Sequence, residues 1–263
     1  MERLKKAIEM AEGWPKDAGH PPVVESGAIH QGSIKTINVD PKVMQANKIA
    51  CGFINSPLAD SYKLLRTRVI ERMRANKWKT LGITGPSAKV GKTLTAINLG
   101  IAIAKEPNHS VLLVDTDLRQ PSVHKVFGLD IDCGLVDRLA GKSSLDDMLI
   151  NPGVEGFDIL PCLKRDCSYS ELLTSPEMDK LLADLKLRYD SRLMLFDLPP
   201  ILVSDDVLAF SKHLDAILVV VEDNKTLSNE FLHAMEIMEG VDMLGIVLNK
   251  SNEAFHESLA GYY

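Results

Sequence analysis

Short apolar runs alternate with helical patterns along most of the chain. The runs are rich in leucine or β-branched residues, and most of them do not alternate polar with apolar positions. They read TLGITG, SVLLVDTD, FDILP, RLMLFDLPP, AILVVVED and LGIVLNK. Runs of this kind are typical of strands that are covered on both faces.

Helical patterns separate these strands at Thr93 to Lys105, PEMDKLLADLKLRY and TLSNEFLHAMEIMEG. A longer pattern, PLADSYKLLRTRVIERMRANKW, precedes the first strand and places a set of apolar side chains on one face: Leu58, Tyr62, Leu65, Val69 and Ile70. Strand, helix and strand in succession predict an α/β fold with a mostly parallel sheet flanked by helices, of the P-loop NTPase type. Ligands of such sheets bind beyond the carboxyl ends of the strands.

Residues 1–55 differ from the rest of the chain. A short charged helix is expected at MERLKKAIEMAE. The segment GWPKDAGHPPVVESGAIHQGS then follows neither a helical nor a strand period, as is typical of linkers. We therefore expect an N-terminal extension with a flexible linker over residues 1–55 and one domain over residues 56–263.

The segment from residue 81 to residue 105, LGITGPSAKVGKTLTAINLGIAIAK, has the pattern of a strand, a phosphate-binding loop and a helix. A Gly-Lys-[Ser/Thr] triplet arises by chance in roughly a tenth of chains this long, so its setting between strand and helix makes it informative. Lys92 would neutralise the β- and γ-phosphates, and the Thr93 hydroxyl would bind Mg²⁺. The residues expected to bind nucleotide are Ser87, Ala88, Lys89, Val90, Gly91, Lys92, Thr93 and Leu94.

The loop departs from the usual GxxxxGK[ST] pattern because Pro86 stands at the first glycine position, one residue after Gly85. Proline donates no backbone hydrogen bond, so one amide is missing from the outer rim of the loop. Lys89 through Thr93 keep their amides, and we expect nucleotide binding to persist.

Three aspartates end two of the predicted strands. Asp115 and Asp117 follow VLLV, and Asp197 ends LMLFD. Parallel strands bring these carboxylates to the sheet edge where the loop lies, and one or two carboxylates near phosphates suffice for Mg²⁺. The three motifs together predict a site for Mg²⁺ and ATP.

Composition narrows the class of protein. The chain has 263 residues and a formal net charge of −6, which gives no general attraction for nucleic acid. No apolar run approaches the roughly 18 residues of a membrane span, and the first residues lack the apolar centre of a signal peptide. Four cysteines form no CxxC pair, which favours free thiols in a reducing cytoplasm.

The motifs VLLVDTDLRQP and LMLFDLPP, with the loop, resemble those of the bacterial tyrosine kinases (BY-kinases). GKTLTAINLGIAIAK and MERLKKAIEMAE are most similar to the subgroup encoded with exopolysaccharide export and exosortase systems. The resemblance covers approximately residues 55–263 with specific motifs and the first twelve residues more weakly. It implies a P-loop kinase domain that autophosphorylates on tyrosine with ATP and Mg²⁺ and regulates exopolysaccharide or capsule biosynthesis and export.

The resemblance also implies partners. A separate membrane protein that controls polysaccharide chain length would activate the kinase and hold it, as a cytoplasmic protein, at the inner face of the cell membrane. A homo-oligomer and a cognate tyrosine phosphatase are further implied partners, and no nucleic acid is.

The resemblance assigns roles to matching positions. Lys92 would bind phosphate, Thr93 and Asp117 would hold Mg²⁺, Asp197 would act in the shell of the metal, and Asp115 would accept the proton of the incoming tyrosine. Which aspartate binds metal and which is the base stays open at this point.

Two further residues have alternative interpretations. Arg119 would stabilise transition-state charge, make a subunit contact or form a salt bridge within the fold. Asn249, in LGIVLNK, is at the position where related ATPases recognise adenine. A lone asparagine after a strand is equally compatible with a turn.

Two features depart from the family. The usual run of tyrosines at the carboxyl terminus is reduced to Tyr262 and Tyr263, which we take as the phospho-acceptors. In the helix that forms the family's ring, E-x-x-R-x-x-R is replaced by Asp60, Lys63 and Arg66. Because lysine lacks the bidentate fork of arginine, we expect weaker or differently regulated oligomers.

Two other functions remain as alternatives. A ParA/MinD-type switch ATPase would bind nucleotide without phosphorylating protein, but such switches usually have a signature lysine where this chain has Ser87. A nucleotide-binding scaffold without phosphoryl transfer is the other alternative, motivated by Pro86 and the short tail.

Overall fold

In a computed structural model of the protein, residues 34–52, 57–188 and 192–251 are described. Three predicted features lie outside these residues: the helix at the amino terminus, the linker over residues 13–33, and the phospho-acceptors Tyr262 and Tyr263. Within them, none of the helices has the length and apolar character needed to cross a membrane.

The strands have short, well-defined bounds. They are β1 (Lys35–Thr36), β2 (Thr80–Thr84), β3 (Val111–Asp115), β4 (Ile150–Asn151), β5 (Phe157–Leu160), β6 (Leu193–Asp197), β7 (Ala216–Glu222) and β8 (Met243–Asn249). The helices are α1 (Pro41–Ala46), α2 (Pro57–Asn76), α3 (Lys92–Ala104), α4 (Val123–Val126), α5 (Leu135–Leu139), α6 (Tyr169–Leu173), α7 (Pro176–Arg188), α8 (Asp206–Ser211) and α9 (Ser228–Ile237).

The described strands form one sheet in the order β1-β4-β5-β3-β6-β2-β7-β8. Every neighbouring pair is parallel except β4 and β5. This arrangement confirms the predicted mostly parallel sheet, and all six predicted strands are present. The nucleotide-loop strand β2 lies between β6 and β7, so its carboxyl end is central in the sheet.

Two apolar layers cover the sheet. On one face, α2 and α3 pack through side chains such as Val69, Met73 and Ile97. On the other face, α7, α8 and α9 pack through side chains such as Leu185 and Phe210. Because both faces are covered, every residue of β2 and β3 is buried, which explains why these strands show no polar–apolar alternation.

The start of the packed domain differs from the boundary expected near residue 55. Strand β1 pairs with β4 at the sheet edge, and Ile49 and Cys51 are buried in the core. The side chain of Asn98 on α3 accepts a hydrogen bond from Cys51 N at 3.0 Å and donates one to Lys48 O at 3.1 Å. Residues 34–52 therefore belong to the packed domain. Strand β1 and helix α1 are too short to produce a recognisable hydrophobic period.

The apolar face expected on α2 is largely present. Tyr62, Val69 and Ile70 are buried and Leu65 is partly buried. Leu58, in the first turn of the helix, is 41% exposed and does not join this face.

Candidate nucleotide-binding site

The phosphate loop, residues 85–93, joins β2 to α3. Lys89 has φ 65° and Gly91 has φ 102°, so two left-handed residues flank Val90. Alternation of this kind turns successive backbone N–H groups toward one side, where they form an anion-binding concavity. Helix α3 begins immediately after Gly91 without a side-chain cap, so its first N–H groups are open to the same concavity.

The glycine of the outer rim is at position 85 because the chain passes closely over β7 there. A Cβ at Gly85 would lie 2.3 Å from the carbonyl oxygen of Val220. The carbonyl oxygens of Gly85 and Pro86 accept hydrogen bonds from the N–H groups of Ile201 and Leu202, at 2.9 and 3.2 Å. The rim that contains Pro86 is thus held by the segment that follows β6.

The predicted carboxylates converge beside the loop. Asp115 and Asp197 are register partners at the ends of β3 and β6, and both are fully buried. The Thr93 hydroxyl donates to Oδ2 of Asp197 at 2.6 Å, and Oδ2 of Asp115 accepts from the N–H groups of Ser122 and Val123 at 2.9 and 3.0 Å. Neither Oδ1 atom has a hydrogen-bond partner among the described residues.

Asp117 and Lys92 complete the charged set. Oδ1 of Asp117 accepts from Gln120 N at 2.9 Å, and both Asp117 and Lys92 are buried. Burial lowers the pKa of Lys92, while the charges of Asp197 and Asp117 oppose this shift. The ammonium group of Lys92 therefore lies close enough to both carboxylates for their charges to act on it.

Burial is also the largest influence on the pKa values of Asp115 and Asp197, the two aspartates at the strand ends. It raises the pKa of Asp197 to about 7, although the Thr93 hydrogen bond and Lys92 act in the other direction. Burial raises the pKa of Asp115 well above its usual range, and the charge of Asp197 adds to this shift. Ionised carboxylates in such a buried site are stabilised by a nearby positive charge.

The residues present fit Mg²⁺. The Thr93 hydroxyl and the carboxylates of Asp117 and Asp197, the latter with one buried oxygen that has no partner among the described residues, form a set of hard oxygen donors, which is what this ion binds. Over residues 34–52, 57–188 and 192–251, no three His, Cys, Asp or Glu side chains form a metal cage of their own. Such an incomplete protein set is usual for Mg²⁺, which takes its remaining ligands from phosphates and water.

Arg119 forms a salt bridge within the fold. Its Nε and Nη2 atoms donate to Oδ2 and Oδ1 of Asp206 at 2.6 and 3.2 Å, and its guanidinium lies 5.5 Å from the ring centroid of Tyr169. Asp206 is buried and also accepts from the Ser170 hydroxyl at 2.6 Å. No sequence motif points to Asp206, which lies 87 residues from Arg119.

Asn249 lies against the phosphate loop. Its Nδ2 donates to Val90 O at 2.8 Å, and its Oδ1 accepts from Lys250 N at 2.9 Å. The neighbouring Lys250 places its Nζ 2.7 Å from Lys89 O. This contact was not predicted, although Lys89 is in the phosphate loop and Lys250 ends the motif LGIVLNK. Adenine recognition by Asn249 stays a prediction.

The charged residues of the α2 motif make contacts within the chain. Lys63 pairs with Asp60 at 2.7 Å on the exposed side of α2. Arg66 pairs with Glu106, just beyond the end of α3.

The loop, the strand-end carboxylates and the central parallel sheet define a P-loop nucleotide-binding domain. The profile of the CobQ/CobB/MinD/ParA nucleotide binding domain matches residues 81–260. YwqD of Bacillus subtilis, a tyrosine-protein kinase, is 30% identical over 222 residues, which are 84% of this chain and 92% of that protein. The chain belongs to the CobQ/CobB/MinD/ParA family and, within it, to the bacterial tyrosine-protein kinases, as the motifs predicted.

Two further comparisons agree with this assignment. The tyrosine-protein kinase ptk of Acinetobacter johnsonii is 30% identical over 205 residues, which are 77% of this chain and 27% of that protein. The kinase domain of the Escherichia coli tyrosine kinase ETK superposes with a TM-score of 0.67 at 26% identity, covering 82% of this chain and 88% of that one. The chain thus spans between a quarter and a third of the first curated relatives and nearly all of YwqD.

Proposed function

We propose that the chain is an ATP- and Mg²⁺-dependent protein-tyrosine autokinase. The observation that supports this most is the convergence of Thr93, Asp115 and Asp197 beside the phosphate loop in a chain similar to tyrosine-protein kinases along almost the whole of YwqD. Phosphoryl transfer requires mainly positioning and charge neutralisation, and this arrangement offers both.

In this proposal, different residues of the site bind phosphate, hold the metal and accept the proton. The loop amides and Lys92 bind the β- and γ-phosphates, and Thr93, Asp117 and Asp197 hold Mg²⁺, which neutralises phosphate charge when it is bound. The tyrosine oxygen forms a bond to the γ-phosphorus, and the bond from that phosphorus to the bridging oxygen breaks to release ADP. The hydroxyl proton passes to Asp115, whose raised pKa makes its ionised form a stronger proton acceptor.

The acceptors are Tyr262 and Tyr263 of a second copy, so transfer takes place in trans within a homo-oligomer. A membrane protein that controls polysaccharide chain length acts as the activator and brings this cytoplasmic chain to the inner face of the cell membrane. The output is control of exopolysaccharide or capsule biosynthesis and export, and a cognate tyrosine phosphatase reverses the modification.

Intact-mass spectrometry after incubation with Mg-ATP tests the proposal. The wild-type chain is compared with Lys92→Met and with Tyr262→Phe/Tyr263→Phe, each alone and with the cytoplasmic segment of a candidate activator. We expect a gain of one or more phosphates that Lys92→Met abolishes and the double tyrosine variant reduces.

The alternatives give different results in the same experiment. ATP hydrolysis without a mass gain, even with the activator, would identify a switch ATPase. ATP binding with neither hydrolysis nor mass gain would identify a nucleotide-binding scaffold.

A further inference from the structure

The end of β8 is attached to the outer side of the phosphate loop by two side chains. Asn249 Nδ2 donates to Val90 O at 2.8 Å, and Lys250 Nζ donates to Lys89 O at 2.7 Å. Two consecutive carbonyl oxygens of the loop are therefore bound by the last residue of β8 and the residue that follows it. The approach is close enough that a Cβ at Gly91 would lie 2.1 Å from Asn249 Nδ2.

Lys89 is the non-glycine residue of the loop whose backbone has an unfavourable left-handed conformation. Its φ of 65° is in the left-handed region, which costs a residue with a side chain about 1–2 kcal/mol relative to the right-handed one. In this conformation its carbonyl oxygen faces outward, toward Lys250, and the amides that follow can face the anion. A charge-assisted hydrogen bond to that carbonyl favours the conformation that binds phosphate.

Glu222, at the end of β7, holds Lys250 in place. Its Oε2 lies 2.9 Å from Lys250 Nζ, and the Lys250 hydrogen bond leads the interactions that lower the pKa of Glu222. Lys225 pairs with the same carboxylate, at 3.2 Å from Oε1, and within the described part of the chain it makes no hydrogen bond to the phosphate loop. Both lysines therefore pair with Glu222, but of the two only Lys250 also binds the phosphate loop.

We propose that Lys250 is a positioning residue for nucleotide binding: it holds the carbonyl of Lys89 outward and so keeps the phosphate loop in its anion-binding conformation. The inference rests on the nucleotide binding of the proposed function and not on phosphoryl transfer. Lys250 also stands where the chain leaves β8 toward the acceptor tyrosines, so the origin of the tail and the phosphate loop are in direct contact.

The test compares Lys250→Met with Lys225→Met in the full chain. Each variant removes one positive charge beside Glu222, but only the first removes the contact to Lys89. Isothermal titration with Mg-ATP should show affinity about threefold to tenfold weaker for Lys250→Met and within twofold of wild type for Lys225→Met. Equal losses in the two variants would mean that only the general positive charge matters, and would overturn the proposal.

A second measurement does not depend on nucleotide. Hydrogen exchange of the peptide that contains residues 87–94 should be faster in nucleotide-free Lys250→Met than in wild type or in Lys225→Met, because the loop samples other conformations. Unchanged exchange would contradict the proposal. If the wild type binds Mg-ATP but transfers no phosphate, the kinase proposal fails while both comparisons still decide the role of Lys250.

A double-mutant cycle tests the cause. Glycine adopts the left-handed conformation without a Cβ penalty, so Lys89→Gly should reduce the effect of Lys250→Met on nucleotide affinity. Strictly additive losses would show that Lys250 acts by another route than the backbone of Lys89.

Discussion

The hydroxyl of Thr93 donates a hydrogen bond of 2.6 Å to Oδ2 of Asp197. This bond joins the first turn of α3 to the carboxyl end of β6, whose last residue is the register partner of Asp115 on β3. The helix that follows the phosphate loop is thereby held over the two strands that supply the carboxylates. Phosphate-binding and acidic groups therefore lie together at the carboxyl ends of the central strands.

Replacing Asp197 with asparagine should reduce the contribution of Mg²⁺ to nucleotide binding. The amide keeps the size of the side chain but removes the charge and one hard oxygen. We expect the gain in ATP affinity on adding Mg²⁺ to fall about tenfold or more, as measured by titration calorimetry with and without the metal. Asp184→Asn, an exposed acid on α7, is the matched control. An unaltered effect of Mg²⁺ in the Asp197 variant would contradict a metal role.

The contribution of Asp197 to the stability of the nucleotide-free protein should decrease as the pH rises from about 4 to about 7. Burial raises the pKa of Asp197 from 3.8 to about 7, so the folded state binds more protons than the unfolded state in this range. Its stabilising contribution is complete below the unfolded pKa and is lost as the pH passes the folded pKa. Asp115 shifts in the same direction. Urea unfolding between pH values of about 5 and 8 measures the trend.

Asp197→Asn tests whether Asp197 causes this pH dependence, because the variant removes its titration and leaves that of Asp115. The decrease in the free energy of unfolding across the range should be smaller in this variant than in wild type. A decrease of the same size would assign the pH dependence to Asp115 or to other groups.

The central part of the fold could be predicted because its signals are local. Continuous apolar runs ending in Asp115 or Asp197 identify buried parallel strands, and the parallel arrangement then brings the two carboxylates to one edge. The placement of Thr93 beside them follows from the same topology. The strand order and the register pairing of Asp115 with Asp197 were not predicted, and only the structure shows them.

The remaining features depend on contacts between distant parts of the chain. Residues 34–52 join the domain through Asn98, which lies 47 residues from Cys51, and no hydrophobic period marks that contact. Lys250 reaches Lys89 across 161 residues. From the sequence alone, Asn98, Lys89 and Lys250 would each be interpreted as a solvated polar side chain. Their partners become visible only in the folded structure.

Replacing Gly85 with alanine should destabilise the protein. The new Cβ would lie 2.3 Å from Val220 O, a backbone atom of a central strand that cannot move aside as a flexible side chain would. We expect a loss of about 1–3 kcal/mol in the free energy of unfolding, measured by chemical denaturation. Gly245→Ala is the control, since its Cβ would meet only Arg72 Nη1 at an ordinary 3.5 Å. Equal stability of the two variants would show that the loop can move away from β7.

Asp206→Asn should free Arg119 from its present position. The carboxylate is buried and binds both the guanidinium and the Ser170 hydroxyl, whereas the Arg119 side chain is 40% exposed. Burial acts to raise the pKa of Asp206, but the hydrogen bonds from Arg119 and Ser170 outweigh it and lower that pKa below its ordinary value. The stabilisation is therefore present above the unfolded pKa and is lost as the pH falls through the folded one.

At neutral pH we expect Asp206→Asn to lower the free energy of unfolding by about 1–3 kcal/mol, the usual cost of a hydrogen bond to a charged group. Asp205→Asn is the control, because Asp205 is exposed and shares only the Ser170 contact. Single-turnover phosphorylation of the same variants then separates the two interpretations of Arg119. If the arginine acts on the reacting phosphate from its present position, Asp206→Asn slows transfer while ATP affinity is kept. If its salt bridge is purely structural, transfer at a temperature well below unfolding stays at the wild-type rate.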